Sequence, residues 1–121
     1  MSGKILIIDD DPRNIFALSA TLKAKGYPCV TAGSALQGMA FLNDSEDISL
    51  VLIDMMMPEM DGYEAIPKIR RQHDIPVIAV TAQAMVGDKE KCMEAGASDY
   101  ISKPVDVDRL LHLLSVHLGQ K

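Results

Sequence analysis

A chain of 121 residues and 13.2 kDa has the length of one domain and enough material to bury a core without disulfide or metal staples. The net charge is −5, and its 12 basic residues are spread out, with Arg70-Arg71 the only basic doublet, which argues against a direct nucleic-acid surface. There is no charged start ahead of a long apolar segment and no apolar run of membrane-spanning length, and Cys29 and Cys92 lack metal-ligand spacing. The expectation is a cytoplasmic protein with reduced thiols, without signal peptide or span.

The first apolar run, Ile5-Leu6-Ile7-Ile8, predicts a buried strand and stops in three carboxylates, Asp9, Asp10 and Asp11. Asp11 before Pro12 is a helix start, because a carboxylate caps the first amides and proline at the first position wastes no hydrogen bond. Ile15, Leu18 and Leu22 form its inner stripe, and Gly26 ends it. A second strand is expected over Pro28–Ala32. Ser34 then caps a helix carrying Leu36, Met39 and Phe41, followed by a polar connection over residues 43–47. The third strand, Leu50-Val51-Leu52-Ile53, ends in Asp54, after which Met55, Met56, Met57, Pro58 and Met60 lead to Gly62.

Beyond Gly62 a helix should run to about Arg71, with Pro67 predicting a kink or a late start. Pro76–Ala82 predicts a fourth buried strand with a hydroxyl, Thr81, near its end. Gly87 and Asp88 open or interrupt the next helix, whose apolar content (Met85, Cys92, Met93, Ala95) is thin, which marks it as a candidate for motion. Asp99–Ser102 is a short fifth strand running into Lys103-Pro104. Asp106 caps a last helix with the stripe Val107, Leu110, Leu111, Leu114, Leu118, widened by Leu113 and Val116, either as a broad core face or as a partner contact. Five strand–helix alternations joined by short connections predict a parallel sheet in an α/β fold.

In such a sheet the carboxyl ends of the strands share one edge, where ligands bind. That edge collects Asp9 and Asp10, Asp54, Thr81 and Lys103. Carboxylates within roughly 4–5 Å of one another repel by about 3–4 kcal/mol per pair at an effective dielectric near 20, so they call for a cation, and an all-oxygen set that keeps some waters suits Mg²⁺. One metal, one ammonium and one hydroxyl around a single carboxylate form a receptor for a phosphoryl group, with Asp54 as nucleophile.

ILIIDDDP, LIDMMMPEMDG, PVIAVTA and GASDYISKP together resemble the receiver domain of two-component response regulators, over the whole chain. The resemblance implies a flavodoxin-like (βα)5 doubly wound fold with a five-stranded sheet of order 2-1-3-4-5. It implies Asp54 as phosphoacceptor, Asp10 as a direct Mg²⁺ ligand with Asp9 assisting, and the Met56 backbone carbonyl as a further ligand. Lys103 would contact the phosphoryl oxygens across a cis Lys103-Pro104 peptide, and Thr81 and Tyr100 would be the switch pair. The implied partner is a histidine kinase or histidine phosphotransfer protein, and the implied protein is a phosphorylation-activated switch, monomeric, with no output domain after Lys121. It is either a free-standing regulator or the receiver of a hybrid kinase.

Rival readings attach to the same residues. Tyr100 also fits a core aromatic and Thr81 a β-branched strand residue. The methionines of residues 55–60 suggest a soft-metal site, but neighbours in sequence cannot all face one ion, and gap filling suits them better. His73, His112 and His117 fall outside the site, and His112 and His117 are read as surface residues, so a phosphodonor histidine belongs to the partner. An aspartyl-phosphate phosphatase would need a second acid two residues after Asp54, where Met56 stands; a binding module that is never phosphorylated would not need the full acid set. With Met56 beside the site and Gln83 two residues past Thr81, no carboxylate or carboxamide aims water through position 56, and slow self-hydrolysis is expected.

Overall fold

The computed structural model describes residues 3–44, 47–82 and 86–118. Among the described residues ten elements alternate without exception: β1 (Lys4–Ile8), α1 (Pro12–Ala24), β2 (Cys29–Ala32), α2 (Ala35–Asp44), β3 (Ile48–Asp54), α3 (Gly62–Gln72), β4 (Val77–Thr81), α4 (Val86–Ala95), β5 (Asp99–Ser102) and α5 (Val107–Leu118). The strands form one parallel sheet of order β2-β1-β3-β4-β5, as the resemblance implies.

The apolar runs explain why the sheet lies in the middle. Side chains alternate between faces along a strand, so a strand without polar interruption must be covered on both. Leu6, Ile8, Val51, Ile53, Val77 and Ala79 face Ala35 and Leu42 of α2, Ala65, Ile66 and Ile69 of α3, and Cys92 of α4. The intervening residues Ile5, Ile7, Leu50, Leu52, Ile78 and Val80 face Leu22 of α1 and Leu110, Leu113 and Leu114 of α5. Each fully buried branched side chain stabilises the fold by about 1.5–3 kcal/mol.

The helix ends follow from the capping residues. Asp11 accepts from Arg13 N at 3.0 Å ahead of Pro12. Gly26, at φ 93°, donates its amide to Lys23 O while Tyr27 N bonds to Leu22 O, a pair of bonds that closes α1 and needs a residue free of Cβ crowding. Ser34 accepts from Gln37 N at 3.1 Å, and the Gln37 carboxamide accepts in turn from Gly33 N.

Several local expectations are corrected. α3 begins at Gly62, capped by Asp61, and continues through Pro67 without a late start, because Ala65, Ile66 and Ile69 anchor both sides of the proline. On α2 the buried residues are Ala35, Gly38 and Leu42, while Leu36 points outward, 63% exposed: the tight approach of Gly38 to Ile8 fixes which face turns inward. Asn43 and Asp44 belong to α2 rather than to a connection, and Ser45 and Glu46 lie outside the described residues. Gly87 sits in the first turn of α4 and opens it. Leu113 is core, whereas Val116 is exposed. His117 is not a free surface residue: its Nε2 lies 3.1 Å from Asp99 Oδ2, tying the end of α5 to the start of β5.

Candidate functional site

Strand register brings the acids together. Ile8 pairs with Ile53, so the next residues, Asp9 and Asp54, emerge side by side at the carboxyl edge, between the two strands where the winding reverses direction. Asp54 in turn pairs with Val80, and Thr81 pairs with Ser102, which places Thr81 and Lys103 at the same edge. Lys103 N donates to Thr81 O at 2.8 Å, and the Lys103-Pro104 peptide is cis.

Asp54 is almost fully buried, 4% exposed. One of its oxygens, Oδ1, accepts from Met56 N at 3.1 Å; the other, Oδ2, accepts from Lys103 Nζ at 3.1 Å. Asp9, 3% exposed, accepts from Asp11 N at 2.9 Å and from Asn14 Nδ2 at 3.4 Å, and lies 4.0 Å from Lys103 Nζ. A single ammonium thus faces two buried carboxylates. Burial is the main cause that pushes the Asp9 carboxyl above its ordinary range; the Asp11 amide opposes it, and the charge of Asp54 adds to it.

Asp10 is exposed at the mouth of this pocket, and one carboxylate oxygen from each of Asp9, Asp10 and Asp54 lies within 4.8 Å of the others. Two buried acids and one open to solvent give an oxygen-only donor set with room for water, which fits Mg²⁺ and disfavours the softer metals. An apolar cleft of about 260 Å³ runs from Asp9 and Lys103 between α1 and α5, walled by Leu18, Val80 and Leu110.

The remaining expected residues are placed as follows. Thr81 is buried at the end of β4. Tyr100 lies in β5 rather than in the acid pocket, with Lys89 Nζ of α4 at 5.5 Å and Arg109 Cζ of α5 at 5.9 Å from its ring centre. The methionines divide: Met55 and Met57 are core, while Met56 is 56% exposed. Gln83 and Met85 lie outside the described residues. His73 pairs with Asn43, and neither it nor His112 nor His117 takes part in the acid cluster. The sequence reading overlooked the His117–Asp99 pair and the two cations over Tyr100; in one dimension Lys89, Tyr100 and Arg109 carry no common spacing signal.

The comparisons with known proteins point to one family. Residues 5–115 match the model of the response regulator receiver domain. The chain is 39% identical over 114 residues to the sensor histidine kinase RcsC of Salmonella typhi, covering 93% of this chain and 12% of that protein. It is 32% identical over 122 residues to the polar-differentiation response regulator DivK of Brucella ovis, covering 98% of each. Among solved structures, the receiver domain of the sensor histidine kinase PA1611 from Pseudomonas aeruginosa, with a magnesium ion coordinated in its active-site cleft, superimposes with a TM-score of 0.88 at 32% identity, covering 98% of this chain and 99% of that one.

Proposed function

This chain belongs to the response regulator receiver domain family, a family of signalling switches, and from that premise we propose that Asp54 is the phosphoacceptor of a Mg²⁺-dependent phosphorelay. The observation that carries the reading is the double hold on Asp54. Its oxygens are fixed by the Met56 amide and the Lys103 ammonium in a buried pocket beside two further carboxylates. That arrangement orients a weak nucleophile and keeps a cation ready for charge that develops on a transferred group.

In the proposed step a carboxylate oxygen of Asp54 attacks the phosphorus of a partner's phosphohistidine. An O–P bond forms, the P–N bond breaks, and the imidazole leaves with its electron pair. Asp9, Asp10, Asp54 and the Met56 carbonyl would hold Mg²⁺, which when bound neutralises charge on the phosphoryl oxygens. Lys103 turns from its present carboxylate partners toward the new phosphoryl oxygens, and the Thr81 hydroxyl donates to another. Lys103 N and Thr81 O are already bonded, so a shift of Thr81 passes to the start of the β5–α5 connection. The face made by α4, β5 and α5, with Tyr100 in its middle, is the one that changes.

The chain performs this chemistry once per signal and regulates rather than turns over substrate. The phosphatase alternative fails on Met56, whose thioether has no proton to give a leaving group. Histidine kinases or phosphotransfer proteins are the proposed donors, the cytoplasm the proposed compartment and a monomer the proposed resting state. No helix among the described residues is long and apolar enough to cross a membrane. The chain spans 12% of its RcsC relatives and 98% of DivK.

The test is incubation with acetyl phosphate and Mg²⁺. The wild-type chain should gain one phosphoryl group, labile to hydroxylamine, and Asp54→Asn should gain none. Equal labelling of both proteins refutes the assignment.

A further inference from the structure

The four methionines after Asp54 do not share one role. Met55 is fully enclosed, its side chain packed where α3 meets the sheet, and Met57 is 8% exposed, whereas Met56 between them is 56% exposed. Both lie just past the end of β3, where the chain bends, and the bend turns Met55 inward against Gly62 while leaving Met56 outside. Met56 is also fixed to the site by its own backbone, since its amide is the donor that holds Asp54 Oδ1. An open thioether therefore stands on the residue that touches the nucleophile's carboxylate.

We infer that Met56 is an oxidation site through which a peroxide shortens the life of the phosphorylated state. The inference rests on the receiver reading given above. In the step, a sulfur lone pair of Met56 attacks one oxygen of hydrogen peroxide, an S–O bond forms and the O–O bond breaks. The departing hydroxide takes the proton of the transferred hydroxyl and leaves as water. Sulfur loses two electrons and the peroxide gains them. A thioether is a feeble acceptor; the sulfoxide that replaces it is polar and accepts hydrogen bonds strongly. Beside Asp54 that oxygen offers the attacking water an acceptor that the unmodified chain lacks at position 56. The backbone amide and carbonyl of residue 56 are untouched by the change.

Accessibility confers the selectivity. Met55 and Met57 are shielded by packing, and Met93, 41% exposed on α4, is open to the same reagent but stands on a different element from Asp54, which makes it an internal control.

The experiment treats the full chain with hydrogen peroxide, maps each methionine by peptide mass, and then follows decay of the acyl phosphate made with acetyl phosphate and Mg²⁺. Met56 and Met93 should gain the mass of one oxygen before Met55 and Met57. The acyl phosphate half-life should fall by about tenfold, well short of what a fully positioned base supplies. Met93→Leu should keep that sensitivity, and Met56→Leu should lose it, each compared treated against untreated. Failure of the untreated chain to take up phosphate refutes the receiver reading and this inference with it. Uptake with a half-life that treatment leaves within about twofold, or Met56 unmodified when Met93 is oxidised, overturns the inference alone.

Discussion

Lys103 Nζ lies 3.1 Å from Asp54 Oδ2 and 4.0 Å from Asp9 Oδ2, one ammonium bridging two buried carboxylates that belong to different strands. Removing it leaves both acids without their nearest cation. Lys103→Met is expected to slow phosphate uptake from acetyl phosphate by about 10²-fold, the scale of losing one charge-stabilising donor at a reacting centre. Circular dichroism should show the same fold. Uptake at the wild-type rate would remove Lys103 from the mechanism.

Asp9 sets a pH dependence with a definite sign. Its carboxyl titrates above the ordinary range, chiefly because it is buried. A raised acid pKa in the folded chain means that its stabilising contribution is full below the unfolded value and is lost as pH rises through the folded one. Without divalent ions, Asp9→Asn should therefore melt higher than wild type at neutral pH, and the gap should close toward about pH 4. Magnesium should raise the wild-type midpoint at neutral pH and raise that of the variant less. Thermal scans across pH, with and without Mg²⁺, check both statements; a gap that widens on acidification contradicts them.

Met56 should make the phosphorylated chain long-lived. Met56→Asn gives position 56 a carboxamide that holds water, and its acyl phosphate should decay faster by about tenfold. The measurement is loss of phosphoryl mass after removal of the donor. Faster decay in the wild-type chain than in the variant would exclude this role.

Pro67 weakens α3 in a way that can be repaired. An amide at position 67 would reach the Tyr63 carbonyl four residues back, a bond that proline cannot make. Pro67→Ala should raise stability by about 1–2 kcal/mol, less than the full cost of an interior proline because the unfolded chain also gains freedom. Denaturant unfolding decides it, and an unchanged or lower midpoint would show that the ring's own packing matters more.

The strands were legible because they are short, apolar and sharply ended; once a parallel sheet is assumed, their ends must gather at one edge. Asp9 and Asp54 were readable for the same reason, since each directly follows a run that the core demands. What the sequence hid depends on facing rather than on type. Leu36 looks like a core residue, yet Gly38 and Leu42 fix the inner face of α2, and the identical side chains of Met55 and Met56 are separated only by the bend of the chain after β3. His117 and Asp99 find each other across two elements, which no spacing rule announces. The late start that Pro67 allowed does not occur: burial of Ala65, Ile66 and Ile69 carries the helix from Gly62 through the proline.

Among its described side chains α4 buries only Cys92, while every strand it crosses is packed on both faces. Tilting that helix would strip little apolar area from the interior, so a local rearrangement there needs only a modest driving force. The molecule is thus graded in stiffness, with a firm frame for the chemistry and a lightly tethered outer panel that a partner can read.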